Sequence, residues 1–181
     1  MTVGATVPRV SLQDMPPTLA DALRPRVERL GYLGEFFQVA GNQPDALAGF
    51  NTYTEACKAA LPPRITELIA LTVAAATGND YERHQHERLS LKLGFGEDWV
   101  RGQGLDETER AVQALALRLV DGLGRGGSAS AETAAVERLL PGADLVAVLL
   151  TIGRYVAHAA VVNALGIQPP VPSPLAPLDG R

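Results

Sequence analysis

The sequence predicts an all-α fold. Apolar residues recur at helical spacing in segment after segment, no stretch shows the strict alternation of a half-buried strand, and helix caps and stops mark the segment ends. About six to eight helices are expected in one domain over residues 18–168, between an extended arm at 1–17 and a proline-rich tail at 169–181. A chain of 181 residues suffices for one such domain and hides roughly two-thirds of its unfolded surface.

The first residues, with Pro8, Pro16 and Pro17, lack the basic start and apolar run of a signal peptide and suit an arm that wraps a neighbour or stays loose. Capping chemistry at Thr18-Leu19-Ala20-Asp21 opens a first helix, with Leu19, Ala22, Leu23, Val27 and Leu30 at helical spacing, a kink at Pro25 and a stop at Gly31. After the apolar stretch Phe36–Ala40, a helix over Asp45–Ala60 is expected to turn Leu47, Ala48, Phe50, Tyr53, Ala56 and Cys57 inward. Pro63 suits a first helical turn, where its missing N–H costs nothing, and Gly78 supplies a left-handed stop. The helix between them, Arg64–Thr77, is apolar almost all round and so buried on most faces. Asn79 then caps the next helix, and Glu82 three residues on completes a capping box.

Beyond Gly94, Phe95–Val100 forms a short turn or helix with Trp99 as a core anchor. Leu105-Asp106-Glu107-Thr108-Glu109 is a second capping box, opening a helix to about Leu123 with Val112, Leu115, Ala116, Leu119 and Val120 on one stripe. The glycine-rich run Gly122–Ser128 lacks the Lys-Ser/Thr of a phosphate loop and follows a helix rather than a strand, which makes it a flexible connector. Ala131–Leu140 is a short helix stopped by Pro141-Gly142. Asp144–Leu165 is the longest apolar helix and raises the question of a membrane span, but Arg154 and His158 interrupt it, and charge in mid-bilayer is costly. It reads as a buried helix of an oligomeric bundle, with Arg154, Tyr155 and His158 offering polar contacts inside or across an interface. The segment from Pro169 to Pro174 is too rich in proline for helix and should be extended.

Composition excludes several classes of function. Hydrophobic residues make up 46% and charged residues 20%, which is globular. A net charge of −4 without a basic cluster gives no electrostatic footprint for nucleic acid. The single cysteine, Cys57, rules out a disulfide framework and fits a reducing cytoplasm, and no membrane partner is expected.

The ionisable groups suited to chemistry lie between Pro63 and Gly94. Glu67 sits on the buried helix, where a carboxylate must be paired, hydrogen-bonded or protonated. Either it is an acid–base group or it pairs with Arg64 at i,i+3 on a wet edge. Glu82 and His86, four apart, share one helical face, while His84 points nearly the opposite way. Glu82 is open to the plainer reading of a cap. No third ligand accompanies Glu82 and His86, so no metal site and no cofactor is expected.

The segment Arg64–Gly94 resembles the core motif of the carboxymuconolactone decarboxylase and alkylhydroperoxidase D family, in which a helix bearing a glutamate leads into a helix bearing Cys-x-x-Cys and a histidine four residues on. Glu67 matches the glutamate, Asn79 and Glu82 stand at the two cysteine positions, and His86 matches the histidine. Tyr81-Glu82 follows the form of members without the second cysteine, and a looser likeness runs from Phe36 to Gly166, through Ile152-Gly153-Arg154-Tyr155 and Asn163-Ala164-Leu165-Gly166. The resemblance implies a helical protomer that assembles into trimers or hexamers with its site near a subunit boundary. Without a thiolate to attack and a second thiol to resolve, dithiol peroxide reduction is not open to this chain, and Cys57 is a small buried apolar residue.

Three functions follow from the resemblance. The first is a cofactor-independent decarboxylase or isomerase of a small carboxylated lactone or related acid, with Glu67, Glu82 and His86 catalytic. His86 would be the general acid, Glu67 its orienting or relay partner and Glu82 a second polar group. Arg64 or Arg83 would hold the substrate carboxylate, and Asn79 and Tyr81 would contact the substrate. The second is a non-catalytic binding or assembly member of the family. The third, ranked last, is redox chemistry resembling hydroperoxide reduction without the dithiol.

Overall fold

A computed structural model describes residues 7–122 and 128–175. The connector expected at Gly122–Ser128 lies mostly outside the described residues, as do the outermost parts of the arm and the tail. The described residues form nine α-helices and a short 3-10 turn at Leu12–Asp14, with no strand. The helices are α1 (Pro17–Leu30), α2 (Glu35–Ala40), α3 (Pro44–Ala60), α4 (Pro63–Thr77), α5 (Asp80–Lys92), α6 (Glu97–Val100), α7 (Glu107–Gly122), α8 (Ser130–Glu137) and α9 (Gly142–Leu165). Nine exceeds the six to eight expected because α2 and α6, of six and four residues, are too short to show a periodic stripe.

The centre of the bundle is α4, packed against α5, α7 and α9. Every residue from Ile65 to Ala74 is buried, as an all-round apolar helix requires. Gly78 ends it at φ +66°, a backbone that only glycine adopts without strain, and turns the chain directly into α5. At α7 the capping box is complete: the Glu109 N–H donates to Asp106 Oδ1 at 2.8 Å and the Asp106 N–H to Glu109 Oε2 at 2.9 Å.

Several expectations need correction. Pro25 does not divide α1, which runs unbroken from Pro17 with no side-chain cap at its start. In α3 the buried residues are Leu47, Asn51, Thr54 and Cys57, while Ala56 is exposed. The inward face of α3 is therefore partly polar, because it meets the arginines of α1 and α9. The described part of the arm packs on its own chain: Met15 is buried, Val10 N–H donates to the Gln38 carbonyl at 3.0 Å, and Arg9 pairs with Glu35 of α2.

The apolar core has two parts. One joins α4, α7, α8 and α9 and includes Tyr155; the other joins the arm, α1, α2 and the start of α3, and includes Tyr81 and Val162. Although α9 is long and apolar enough to cross a membrane by length and composition, it packs against α3, α4, α7 and α8 and buries Arg154 and His158. Those two side chains stand where the two parts of the core meet.

Candidate active site

The start of α5 decides the site. Asn79 Oδ1 accepts the Glu82 N–H at 3.2 Å, as the cap predicts, but the Asn79 N–H donates to the Ala74 carbonyl at 2.8 Å. Glu82 has no cap to close, so only half of the expected box forms and its carboxylate turns inward, where it is 6% exposed. Its Oε2 lies 2.8 Å from His86 Nε2 and its Oε1 lies 2.9 Å from His158 Nε2 and 3.5 Å from Arg154 Nη1. On the far side of His86, Nδ1 lies 2.7 Å from Glu67 Oε2 of α4, which Ser90 Oγ also approaches at 3.4 Å. The Asn79 amide nitrogen meets His158 Nδ1 at 3.3 Å and ends the chain. Five buried side chains, Glu67, His86, Glu82, His158 and Asn79, thus form one hydrogen-bonded line across three helices.

The partners set the protonation states. With Asn79 Oδ1 engaged as an acceptor, its NH2 must donate to His158 Nδ1, which leaves His158 with a proton on Nε2 to give to Glu82. Burial pushes the His158 pKa below the usual imidazole value more strongly than Glu82 raises it, so His158 is neutral at pH 7. His86 faces a carboxylate at each nitrogen. Burial opposes its charge, but Glu67 and Glu82 outweigh burial and raise it to about 9, so it is an imidazolium at neutral pH. Burial likewise opposes charge on Glu82, and His158, Arg154 and His86 together hold it well below the usual carboxylate range. The two histidines that flank Glu82 therefore differ in charge.

The line opens on a cavity of about 430 Å³. Glu82, His86, Tyr155 and His158 reach its wall, with Tyr81 beside them, while Glu67 stands behind His86. The Tyr155 ring meets His86 edge-on at 5.3 Å, and Phe36 stacks on His158 at 4.0 Å. The Tyr81 hydroxyl accepts the Phe36 N–H at 3.4 Å, over Gly34, where a Cβ would lie 2.5 Å from that oxygen.

Glu67, Glu82 and His86 are brought together, with Asn79 and Tyr81 adjacent. Arg64 and Arg83 are not. Arg64 pairs with Glu109 and stacks on Trp99 at 4.6 Å, so the expected Arg64–Glu67 pair does not form. Arg83 pairs with Asp80 at 2.7 Å and reaches Glu87 at 3.6 Å, and neither arginine lines the cavity. His84 points away and contacts the Val171 carbonyl at 3.0 Å. The cavity's cations come from elsewhere: Arg26 of α1, Lys58 of α3 and Arg154 of α9 line it near Glu82. The sequence did carry a signal for α9, since Thr151, Arg154 and His158 share one face of an apolar helix. Arg26 and Lys58 look like ordinary surface residues of amphipathic helices.

Among the described residues no group of three or more His, Cys, Asp or Glu side chains is placed to hold a metal ion. The Glu82 and His86 atoms that could ligate one are hydrogen-bonded to each other instead.

Solved structures share this helical arrangement, and the fold is alkylhydroperoxidase D-like. A peroxidase-related protein with the alkylhydroperoxidase AhpD core from Ralstonia eutropha JMP134 superposes with a TM-score of 0.75 over 90% of each chain at 18% identity. The debrominase Bmp8, in complex with 2,3,4-tribromopyrrole, gives a TM-score of 0.78 over 92% of each chain at 17% identity. A protein of unknown function from Agrobacterium tumefaciens gives 0.66 at 18% identity, covering 74% of this chain and 96% of its own. Residues 44–102 match the model of the carboxymuconolactone decarboxylase family. The matched segment includes Glu67, Asn79, Glu82 and His86 and holds no Cys-x-x-Cys motif. No curated protein matches it.

Proposed function

We propose that the protein is a cofactor-independent lyase or isomerase, akin to carboxymuconolactone decarboxylase, acting on a small carboxylated lactone or related organic acid by Glu/His acid–base chemistry. The observation that supports this reading is the buried Glu67–His86–Glu82 line with its charged end at a cavity wall. His86 carries a proton on Nε2, shared with Glu82 Oε2, while Glu67 holds the ring through Nδ1. When the substrate loses CO2, the electron pair of the broken bond passes into the conjugated system as a dienolate. The Nε2 proton, delivered from the His86–Glu82 pair, then forms the new C–H bond, and water at the cavity mouth restores it. Arg154 and the neutral His158 keep Glu82 ionised, so the pair stays a donor to carbon without Glu82 itself gaining a proton at rest. The same pair serves an isomerisation by removing and returning one proton. Thiol chemistry gains no support, because Cys57 is buried on α3 and does not line the cavity.

A panel of carboxylated lactones and unsaturated dicarboxylic acids, assayed for CO2 release and for isomerised product, tests this. Glu67→Gln and His86→Asn should each lower kcat at least 100-fold on the active compound, and the double variant should cost little more, because groups that act as one unit are strongly non-additive. His84→Asn should change kcat less than about threefold, since its ring faces Val171. Full activity in folded Glu67→Gln and His86→Asn would end the reading.

A further inference from the structure

The cavity wall is strongly positive although the chain is net negative. Of the chain's 16 Lys and Arg residues, Arg26, Arg29, Lys58, Arg88, Lys92 and Arg154 line this one cavity, and among the described residues Glu82 is the one carboxylate that does. Glu82 is already bonded to His86 and His158 and reaches Arg154 only at 3.5 Å. Arg26 and Lys58 share one carboxylate, Glu55, at 2.9 and 3.1 Å, and Glu55 is itself 55% exposed.

The inner cations are held rather than loosely displayed. Arg154 is 4% exposed, donates from Nε to Thr54 Oγ1 at 3.2 Å, and lies 4.2 Å over the Tyr155 ring. Arg26 lies 4.7 Å over the Phe37 ring, and its Nε is buried with no hydrogen-bond partner among the described residues. Burial depresses the pKa of both Arg26 and Lys58. Arg154 adds to that effect at both, and Arg26 adds to it at Lys58. A guanidinium only 14% exposed, close to two like charges and with its Nε donor unused among the described residues, is the arrangement expected where a ligand supplies further negative charge. Exposed Lys and Arg often only cover apolar surface with their stems, and a buried guanidinium does not fit that explanation. Arg29, Arg88 and Lys92 are exposed at the cavity's opening and make no ion pair or hydrogen bond among the described residues.

We infer that Arg26, Lys58 and Arg154 form a binding site for the carboxylate of the substrate, and that Arg29, Arg88 and Lys92 hold a second carboxylate, so that the ligand is a small organic dicarboxylate. The inference rests on the proposed function only in taking the bound molecule to be the substrate. One carboxylate sits inside, within reach of the guanidinium forks, and places the adjoining carbons against His86 and Glu82. The other stays at the mouth, where the three exposed cations also raise the local concentration of anions.

Calorimetric titration of the full chain with unreactive probes tests this apart from catalysis. Adipate should bind at least tenfold more tightly than hexanoate, and both more tightly than inorganic phosphate. Arg26→Gln and Lys58→Gln should each weaken adipate and hexanoate tenfold or more, and Lys58, being only half-buried, gives a variant that keeps the fold if Arg26→Gln does not. Replacing Arg29, Arg88 and Lys92 together by Gln should bring adipate down to the level of hexanoate and leave hexanoate unchanged. Glu67→Gln, which lowers kcat at least 100-fold on the proposed reading, should bind adipate as the wild type does. Failure of adipate to bind, equal affinity in folded Lys58→Gln, or tighter binding of phosphate than of adipate would each overturn the inference while leaving the His86 chemistry standing.

Discussion

His86 and His158 touch the same carboxylate and respond to pH in opposite directions. His86 is raised from 6.5 to about 9 in the folded protein, so between those values the native state binds a proton that the unfolded state has lost. Stability from this group is fully present below pH 6.5 and is lost as pH rises through about 9; the linked free energy is of order 3 kcal/mol. His158 is depressed, so the unfolded state binds the extra proton and stability falls as pH drops below the ordinary imidazole value. Glu82, also depressed, adds a loss at more acid pH, once the pH falls through the ordinary carboxylate range. Urea midpoints should therefore peak near neutrality and decline on both sides. His158→Gln should flatten the limb between about pH 6.5 and 5 and leave the alkaline limb in place, whereas an alkaline limb absent from the wild type would mean that His86 is not held as an imidazolium.

At the scale of the helix, Asn79 does two things at once: it caps α5 through Oδ1 and fixes the His158 tautomer through its NH2. Two substitutions separate them. Asn79→Ala removes both and should cost about 1 kcal/mol from the lost cap, plus the cost of an unpaired buried ring nitrogen. Asn79→Asp keeps the cap but turns an acceptor toward His158 Nδ1, and the ring can satisfy both of its carboxylates only as an imidazolium. NMR titration of the His158 ring should then show its pKa raised above that of the wild type, with α5 retained. A ring that still titrates below the ordinary value in Asn79→Asp would show that the amide does not set its state.

The same element shows what the sequence could reveal. The α4–α5 pair was legible down to its caps, because Pro63, Gly78 and Asn79 act through local backbone geometry that neighbours in sequence specify. Glu67 and His86 were legible as a pair only through the resemblance to the family motif, since the residues alone left Glu67 open to pairing with Arg64. The direction of Glu82 was not, since the choice between closing a cap and turning inward depends on Arg154 and His158, some seventy residues away on α9. Arg64 was misplaced for a similar reason: its partner is Glu109, whose capping box with Asp106 was visible but whose position beside α4 was not. Local signals located the site's framework, and long-range packing chose its cations.

At the scale of the whole molecule, one face of α9 carries a row of exposed apolar residues among the described residues. Val146 is 53% exposed and Leu150 48%, and Gly153, Ala157 and Ala160 continue the same exposed stripe at spacings of three and four, down a helix whose opposite face lies in the core. Small residues permit close approach of a second helix, and large exposed aliphatics in a row favour leaving water. The family resemblance leads us to propose a trimer or hexamer, and this stripe is the surface of the described chain best suited to join copies. Light scattering at micromolar concentration should give a mass that is a multiple of 19.1 kDa, with three or six copies expected. Val146→Glu with Leu150→Glu puts two charges into that contact and should shift the mass toward a single chain, with a melting temperature that no longer depends on protein concentration. Since the Glu67–His86–Glu82 line and the cations around it lie within one chain, the separated variant should still bind adipate. A wild-type protein that runs as a clean monomer at these concentrations would leave the stripe as ordinary surface, and an oligomer undisturbed by the two glutamates would place the contact on another face.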